Sequence, residues 1–258
     1  MIISVINNKG GVGKTVLTCN LSVALARQGK KTLVIDNDSQ CNATSIILPN
    51  NNIQLSLYNL LDTDECSLKE CIYSTNHKKL HCVPNIEQTS GLELEIAKRY
   101  PNSLQELRKK IRDYVNNNYD FCFIDNPPNM GVFVAQSLFA SDCVIVPNDA
   151  GSANSLDGLR KALDLIDSIK EAGNPDLKFL RLLINKVDLR TSISQVIIDD
   201  INSHFSDNQI FKTMIPINTS IQQAEYAKKS VLEFASTSKA ATSYRQLARE
   251  FLEIFKCQ

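Results

Sequence analysis

The feature that most constrains the fold is a glycine-rich turn near the N-terminus. Residues 2–7 form an apolar run typical of a buried strand, and residues 14–28 have helical spacing. The strand is joined to the helix by Asn8-Lys9-Gly10-Gly11-Val12-Gly13-Lys14-Thr15, whose last two residues are the first two of the predicted helix. A strand, a glycine-rich turn and a helix bring backbone N–H groups and a helix N-terminus to one point, where they can surround phosphate groups. The sequence therefore predicts an α/β fold with a phosphate-binding loop.

The side chains of this turn indicate how a phosphate chain would be held. Glycines let the backbone close around an anion without Cβ clashes. Lys14 would reach the β- and γ-phosphates, and the Thr15 hydroxyl would bind Mg²⁺. The strict P-loop template begins with glycine, whereas this chain has Asn8 there and a second lysine, Lys9, before the paired glycines.

Apolar, β-branched runs alternate with segments of helical period along the chain, as in a parallel sheet with helices on both faces. The predicted strands are 2–7, 31–36, 121–125, 143–147, 179–185 and 209–215, with a short candidate at 80–84. The predicted helices are 14–28, 104–116, 155–172, 192–205, 221–227 and 238–255. No repeat or linker divides the sequence, so we expect one doubly wound, mostly parallel α/β domain over residues 1–258. The less regular residues 49–102 are interpreted as connecting structure at one sheet edge, with a partner-binding insertion as the alternative.

Carboxylates follow two of the predicted strands. Asp36 and Asp38 stand at the end of one strand, and Asp125 ends another. Open α/β sheets bind their ligands outside the carboxyl ends of the strands. A carboxylate at such a position can bind Mg²⁺ through water, as the Walker B aspartate does in P-loop enzymes.

The segment Lys9 to Thr15 resembles the deviant Walker A motif of the ParA/MinD family of P-loop ATPases. In that family the extra lysine reaches the partner's phosphates across a nucleotide-sandwich dimer. Asp36-Asn37-Asp38-Ser39-Gln40 is similar to the family's Asp-x-Asp-Pro-Gln segment, with Ser39 replacing proline, and residues 125–128 fit its Asp-x-Pro-Pro pattern. The likeness continues to the final helix and is closest to the short, Soj-like partition ATPases.

The resemblance implies a role for each matching residue. Lys9, Lys14 and Asp38 would be catalytic, with Asp38 orienting or activating the attacking water. Thr15, Asp36 and Asp125 would serve the Mg²⁺ site. The implied nucleotide contacts are Lys9, Gly10, Gly11, Val12, Gly13, Lys14, Thr15, Val16, Asn185 and Pro216. Two positions depart from the family pattern: Val16 replaces a common threonine, and Ile217 replaces a common arginine.

Three functions remain open from the sequence. The first is a partition ATPase that forms an ATP-dependent homodimer, binds nucleoid DNA nonspecifically and responds to a ParB-type activator. The second is a ParA-like ATPase that positions a protein cargo. The third is a MinD-like ATPase that cycles on membranes through the apolar stripe of residues 244–255. Relatives that hold an iron–sulfur cluster are disfavoured, since Cys122 and Cys143 fall inside predicted strands.

Composition bears on these alternatives. The chain has 28 basic and 28 acidic residues, which argues against a general basic coat for DNA but allows a local patch. Residues 209–258 carry seven basic and four acidic residues, a modest basic excess. The sequence has neither a run long enough to span a membrane nor an N-terminal signal pattern. We therefore expect a cytoplasmic, nucleoid-associated protein without stable membrane association.

The eight cysteines contain no Cys-x-x-Cys pair and are expected to be reduced thiols. The one group with short spacings between thiols and imidazoles is Cys66, Cys71, His77, His81 and Cys82. These spacings fit no standard zinc site, so ordinary packing and surface positions are the preferred interpretation.

Overall fold

The computed structural model describes residues 1–48, 52–63, 66–152 and 155–256, and within these residues seven strands form one sheet. The strands are β1 (Ile2–Val5), β2 (Thr32–Asp36), β3 (Tyr73–Ser74), β4 (Leu80–Val83), β5 (Phe121–Asp125), β6 (Cys143–Asp149) and β7 (Lys178–Asn185). Their order across the sheet is β3-β4-β2-β5-β1-β6-β7. Every neighbouring pair is parallel except β3 and β4 at one edge, which are antiparallel. The mostly parallel sheet expected from the sequence is confirmed.

Helices cover both faces of the sheet. Their bounds are α1 (Lys14–Arg27), α2 (Asn42–Ile47), α3 (Leu57–Asp62), α4 (Leu92–Lys98), α5 (Glu106–Asn118), α6 (Val132–Ala140), α7 (Ser155–Ala172), α8 (Ser192–His204), α9 (Thr219–Tyr226), α10 (Val231–Phe234) and α11 (Lys239–Ile254). Buried side chains of α1, α2, α10 and α11 pack on one face, and those of α3 to α8 pack on the other. That the whole chain, 1–258, is a single domain stays a prediction.

The two faces arise from the alternation of side chains along each strand. In β1, Ile3 and Val5 join the core under α1 and α11, whereas Ile2 joins the core on the opposite face. In β5, Phe123 points to the first core, and Cys122 and Ile124 point to the other. Because alternate side chains point to opposite faces, a short apolar strand supplies both cores.

The apolar stripe of α11 is buried within the domain. Tyr244, Leu247 and Phe251 are fully buried in the core that α11 shares with α1, and the ring of Phe251 lies 5.0 Å from that of Phe121. This face is therefore covered by the protein itself. Among the residues that the structure describes, no helix combines the length and the hydrophobicity needed to cross a bilayer.

The predicted strand at 209–215 is wrong. This segment runs beside β7 and makes isolated contacts, such as the hydrogen bonds from Phe211 N to Leu182 O and from Ile215 N to Ile184 O. Between these contacts, the backbone N–H groups of Lys212 and Thr213 donate to the carboxylate of Glu250 at 2.7 and 2.9 Å. A carboxylate on α11 has replaced the neighbouring strand as acceptor, so no continuous ladder forms.

Five helices have no counterpart among the predicted elements: α2, α3, α4, α6 and α10. Four of them have only four to seven residues, too few to establish a helical period. Helix α6 is apolar on almost all sides, and an evenly apolar helix has no polar face to reveal its period. The other predicted strands and helices are confirmed, with ends that differ by a few residues, and the candidate at 80–84 is β4.

The seven cysteines in the described part of the chain are free thiols. Cys122 and Cys143 are buried in β5 and β6, as predicted. The imidazoles of the possible zinc group have other neighbours: His77 lies 2.9 Å from Glu233, and His81 lies 3.0 Å from the Tyr119 hydroxyl. No cluster of three or more metal-binding side chains occurs in residues 1–48, 52–63, 66–152 and 155–256.

Candidate nucleotide-binding site

A cavity of about 810 Å³ opens at the carboxyl ends of the central strands. Its lining residues are Gly10, Gly11, Gly13, Lys14, Thr15, Val16, Asp38, Gln40, Asn42, Ser45, Ile46, Pro128, Asn185, Lys186, Pro216, Ile217, Asn218, Ile221, Gln222, Glu225 and Lys228. Two sides can be distinguished. The loop side comprises residues 10–16 and 38–46, and the distal side comprises residues 185–186 and 216–228. The structure thus brings most of the predicted site residues to one cavity.

The conformation of the loop explains its glycines. Gly11 and Gly13 have φ angles of +75° and +92°, in the left-handed region that side chains disfavour. A Cβ atom on Gly13 would also lie 2.3 Å from Nδ2 of Asn185. Gly13 is the residue just before α1, so its backbone turns the chain from the loop into the helix. The helix N-terminus therefore faces the cavity, as an anion site requires.

Lys14 lies in the first turn of α1 and is buried, with a relative exposure of 7%. Its ammonium group donates hydrogen bonds to the carbonyl oxygens of Asn7 and Lys9, each at 3.3 Å. Burial lowers its pKa, and the negative charges of Asp125 and Asp38 oppose that shift. The loop carbonyls thus hold a cationic group at the base of the cavity, close to the carboxylates.

Asp125, at the end of β5, is fully buried below the loop. Its Oδ1 accepts a hydrogen bond from the Thr18 hydroxyl at 3.2 Å, whereas its Oδ2 is buried without a hydrogen-bond partner. Burial, together with the nearby charge of Asp36, raises the pKa of Asp125 well above its usual range, and the nearby Thr15 hydroxyl opposes the rise. An unpartnered, buried carboxylate oxygen beside the Thr15 hydroxyl fits a hydrated Mg²⁺ ion. The predicted metal residues Thr15 and Asp125 therefore fit the ion.

Asp36, paired in register with Asp125 on the adjacent strand, has both oxygens engaged within the chain. Oδ2 accepts from the backbone N–H and the hydroxyl of Thr44, both at 2.7 Å, and Oδ1 accepts from Asp38 N at 3.2 Å. Burial raises the pKa of Asp36 to about 6, although these hydrogen bonds lower it. Asp36 thus fixes α2 and the backbone of Asp38, while its role in the metal site stays a prediction.

Asp38 lines the cavity and is 8% exposed. Its Oδ1 accepts a hydrogen bond from Gln40 N at 3.0 Å, and its carbonyl accepts one from Cys41 N at 2.9 Å. These hydrogen bonds hold the turn after β2, which presents the Asp38 carboxylate to the same space as the phosphate loop.

Lys9 does not line the cavity. Its ammonium group donates to the hydroxyl of Ser152 on the loop after β6, and its backbone N–H donates to Oδ1 of Asn7 at 2.9 Å. A Cβ atom on Gly158 of α7 would lie 2.5 Å from that same Asn7 oxygen and 3.3 Å from Cβ of Lys9. Only glycine on this helix allows α7 to approach the loop so closely.

Asn185 and Pro216 come from the far part of the chain. Asn185 donates from Nδ2 to the carbonyl of Val12 at 2.7 Å and accepts from Lys186 N at 2.9 Å. Val12 is fully buried, so its side chain supports the loop instead of lining the cavity. Asn185 therefore ties the end of β7 to the phosphate loop, and Pro216 lines the distal side. Direct contact of either residue with a nucleotide base stays a prediction.

Several residues of the site were not singled out by the sequence. On the loop side they are Thr18, Thr44 and the α2 residues that line the cavity; on the distal side they are Lys186 and most of 217–228. Thr18 carried a usable signal, since it lies one helical turn after the phosphate-loop residues Lys14 and Thr15. Thr44 lies in an unpredicted six-residue helix, and the distal residues have no shared motif.

Comparisons with known proteins agree with this geometry. A family model described as an AAA domain matches residues 1–179. The sporulation initiation inhibitor protein Soj of Bacillus subtilis is 32% identical over 96% of this chain and 97% of its own length. The chromosome partitioning protein ParA of Myxococcus xanthus is 31% identical over 98% of this chain and 88% of its own length.

A solved structure extends the comparison to bound ligands. The cobyrinic acid a,c-diamide synthase of Mycobacterium smegmatis, crystallised with ADP and magnesium, is 25% identical and superposes with a TM-score of 0.82. The likeness covers 99% of this chain and 95% of that one. With a phosphate loop, a fitting Mg²⁺ position and Soj and ParA relatives over nearly the full length, the chain belongs to the ParA/MinD family of P-loop ATPases, which hydrolyse ATP with Mg²⁺.

Proposed function

We propose that this protein is a partition ATPase that binds ATP between two subunits, holds DNA nonspecifically in that state and releases it after hydrolysis. The observation that carries the proposal is the phosphate loop with two lysines that have different surroundings. Lys14 is buried against the loop carbonyls at the cavity, whereas Lys9 lies outside it on the Ser152 side. One lysine can therefore serve the nucleotide of its own subunit, and the other can reach outward.

The chain's own residues account for the chemistry at one subunit. Lys14 and the N–H groups at the start of α1 bind the phosphates and stabilise the charge that develops on them. Thr15 and Asp125 would hold Mg²⁺, which neutralises phosphate charge when bound. Asp38, fixed by Gln40 and by Asp36, orients the attacking water. Because this catalysis consists of positioning and charge stabilisation, we expect slow hydrolysis that a partner protein accelerates.

Lys9 is the proposed contact to the second nucleotide. In the single chain the Lys9 ammonium group donates a hydrogen bond to the Ser152 hydroxyl. In the dimer, an anionic phosphate of the second nucleotide would replace that hydroxyl as the acceptor. A charge-assisted hydrogen bond is about twice as strong as a neutral one. The exchange therefore favours the dimer when a triphosphate is present.

The variant Lys9→Ala tests the dimer. It should keep the affinity of the monomer for nucleotide within about twofold, because Lys14 and the loop backbone remain, and it should abolish ATP-dependent dimers. Light scattering with and without ATP measures the dimer directly. Ser152→Ala, which removes the partner of Lys9 within the chain, is the matched control and should dimerise at least as well as the native protein. ATP dimers of Lys9→Ala would refute the sandwich arrangement.

DNA binding is proposed to depend on this dimer. The chain has no net charge, and residues 209–258 have an excess of three basic residues. Two of the four acidic residues of that segment face basic side chains outside it, since Glu250 contacts Arg181 at 3.2 Å and Glu233 contacts His77. A small basic excess binds DNA weakly, but two copies joined in one dimer multiply the contact.

A salt series separates this function from the others. The purified protein should bind nonspecific DNA with ATP at salt concentrations where the ATP-free protein has dissociated, with a steep fall in affinity as salt rises. Asp38→Ala should remain bound to DNA for longer, because it would form the dimer without hydrolysing ATP. Identical DNA binding with and without ATP would exclude the DNA motor and would favour a ParA-like ATPase that positions a protein cargo.

The proposed partners are therefore a second copy of the chain, nonspecific nucleoid DNA in the cytoplasm, and a ParB-type activator protein. Membrane cycling is the least favoured alternative, because the apolar face of α11 that it would use is buried against α1 and the sheet. Sedimentation with anionic liposomes and ATP tests it. Recovery of the protein with the liposomes would overturn this preference.

A further inference from the structure

Two cysteines outside the lining of the nucleotide cavity lie side by side just before the edge strand β3. The Sγ atoms of Cys66 and Cys71 are 3.2 Å apart, and both residues are free thiols. Cys71 is buried, and its Sγ also contacts the carbonyl of Ser56 at 3.4 Å. Cys66 is partly exposed. The pair therefore consists of one accessible thiol and one buried thiol in contact.

The backbone between the two cysteines is held in place. A 3-10 turn, Leu68–Cys71, follows Ser67, whose N–H and hydroxyl donate to the carboxylate of Glu70 at 2.9 and 2.6 Å. Leu68 is 3% exposed and packs in the core below α5. This reciprocal cap fixes the start of the turn, so the thiols are brought together by local structure and not by a chance surface encounter.

A second cavity gives access to the accessible thiol. It has a volume of about 430 Å³ and is lined by Leu60, Cys66, Ser67, Leu68, Lys69, Lys110 and Tyr114. Two lysines in this lining, Lys69 and Lys110, carry positive charge that suits a ligand with carboxylates, although the Lys110 ammonium already donates to the carbonyl of Thr63 at 2.7 Å. Its volume is in the range that small-molecule sites have.

We propose that Cys66 and Cys71 form a redox-active dithiol that small disulfides bearing carboxylates oxidise to an intramolecular disulfide. A disulfide needs an Sγ–Sγ distance of about 2.05 Å, so the sulfurs must approach by about 1 Å, which side-chain rotation can supply. The nucleotide site takes no part in this reaction, and the inference does not depend on the proposed partition function.

The reaction has two exchange steps. The Cys66 thiolate attacks one sulfur of the small disulfide, forms a mixed disulfide and expels one thiolate, which takes up a proton. The Cys71 sulfur, after losing its proton to solvent, attacks Sγ of Cys66 and expels the second small thiol. The protein loses two electrons and two protons, and the small disulfide gains them as two thiols. Burial, followed by the contact with Cys66, raises the pKa of Cys71, which favours Cys66 as the first nucleophile.

Oxidised glutathione is the probe for the full-length protein. After incubation with an excess, unfolding in denaturant and alkylation of the remaining thiols, the number of alkylated cysteines should fall from eight to six. The intact mass before alkylation should fall by two hydrogens, and a peptide containing Cys66 should be linked to one containing Cys71. Eight alkylated thiols, or a linkage between other cysteines, would overturn the proposal.

Three variants define the order of the steps. Cys71→Ser should stop at a mixed disulfide on Cys66, and Cys66→Ser should form no linkage at position 71. Cys41→Ser is the matched control, because Cys41 is also a partly exposed thiol but lies in the turn after β2, and its removal should leave the linkage unchanged. Equal thiol loss in Cys66→Ser and the native protein would overturn the proposal.

A measurement on the native protein tests the thiol pair without any substitution that could prevent folding. Phenylarsine oxide binds pairs of adjacent thiols, so one equivalent should protect both Cys66 and Cys71 from alkylation while the other cysteines react as before. Continued alkylation of either residue at that stoichiometry would show that the two thiols do not act as a pair.

Discussion

The two sides of the nucleotide cavity are built in different ways. The loop side takes its residues from two short stretches, 10–16 and 38–46, each directly after a central strand. The distal side combines the end of β7 with the chain around α9, and much of it is exposed: Ile217 is 55% exposed. The loop side is therefore determined mainly by local sequence, whereas the distal side depends on how remote segments pack. Asn185 joins the two sides through its hydrogen bond to Val12.

The largest expected effect concerns the charge on the loop side. Lys14→Gln should lower the rate of ATP hydrolysis at least about 100-fold, because an ammonium group aimed at developing phosphate charge is lost from a buried position. Lys228→Gln, which removes a lysine from the distal lining, should change the rate by no more than about threefold. Steady-state phosphate release measures both. Comparable losses in the two variants would show that the sides do not differ in this way.

The second effect concerns the shape of the loop. Gly13→Ala places a Cβ at φ +92° and 2.3 Å from Asn185, so it should destabilise the fold by about 1–3 kcal/mol and weaken ATP binding more than about tenfold. Gly29→Ala is the matched control, since Gly29 has φ +86° and open space around its Cβ position. Gly29→Ala should lower the free energy of unfolding by about 1 kcal/mol, which is the cost of the left-handed backbone alone, and should leave the ATP affinity unchanged. Denaturant unfolding and calorimetric titration with ATP separate the two outcomes.

A third, smaller effect tests the distal side. Asn218 caps α9 by accepting hydrogen bonds from Ser220 N at 2.9 Å and from the Ser220 hydroxyl at 2.6 Å. Asn218→Ala should cost about 1 kcal/mol of stability and should weaken ATP binding a few-fold, because the cavity wall becomes less ordered. Ser238→Ala removes the analogous cap of α11, remote from the cavity, and should cost similar stability with unchanged affinity. If both variants lose affinity equally, global stability and not the distal wall sets ATP binding.

The smallest effect concerns α10, which packs behind the distal side. Burial raises the pKa of Glu233, but hydrogen bonds from His77 and Ser230 outweigh burial and hold it at about 2, below its usual value of 4.5. Because the folded-state pKa is lowered, this stabilisation is complete above about pH 4.5 and is lost as the pH falls towards 2. Glu233→Gln should cost less than about 1 kcal/mol at neutral pH, and its difference from the native protein should shrink below pH 4.5. Unfolding curves from pH 7 to pH 3.5 measure that difference; a constant difference would exclude the linkage.

The same difference between the two sides limits which parts of the site can be predicted from the sequence. The phosphate loop, the carboxylates at strand ends and the positions of most strands along the chain follow from short contiguous patterns, and the structure has them where they were expected. The strand predicted at 209–215 is wrong because Glu250, which lies 38 residues after Lys212 and 37 after Thr213, accepts hydrogen bonds from their N–H groups. The role of Thr44 escaped prediction because its acceptor, Asp36, lies on a preceding strand and α2 has only six residues.

By itself, the sequence determined an α/β sheet, a phosphate loop with two lysines, and the positions of Asp38 and Asp125 at the sheet's carboxyl edge. These features depend on backbone geometry and on side-chain periodicity over a few residues, and both are specified by residues that are neighbours in the sequence. Only the tertiary structure decided that Asn185 braces the loop, that Asp36 is engaged by Thr44 and that the thiols of Cys66 and Cys71 touch. Such contacts depend on side-chain direction and on the packing of separate elements, and both are fixed only when the cores on the two faces of the sheet are formed.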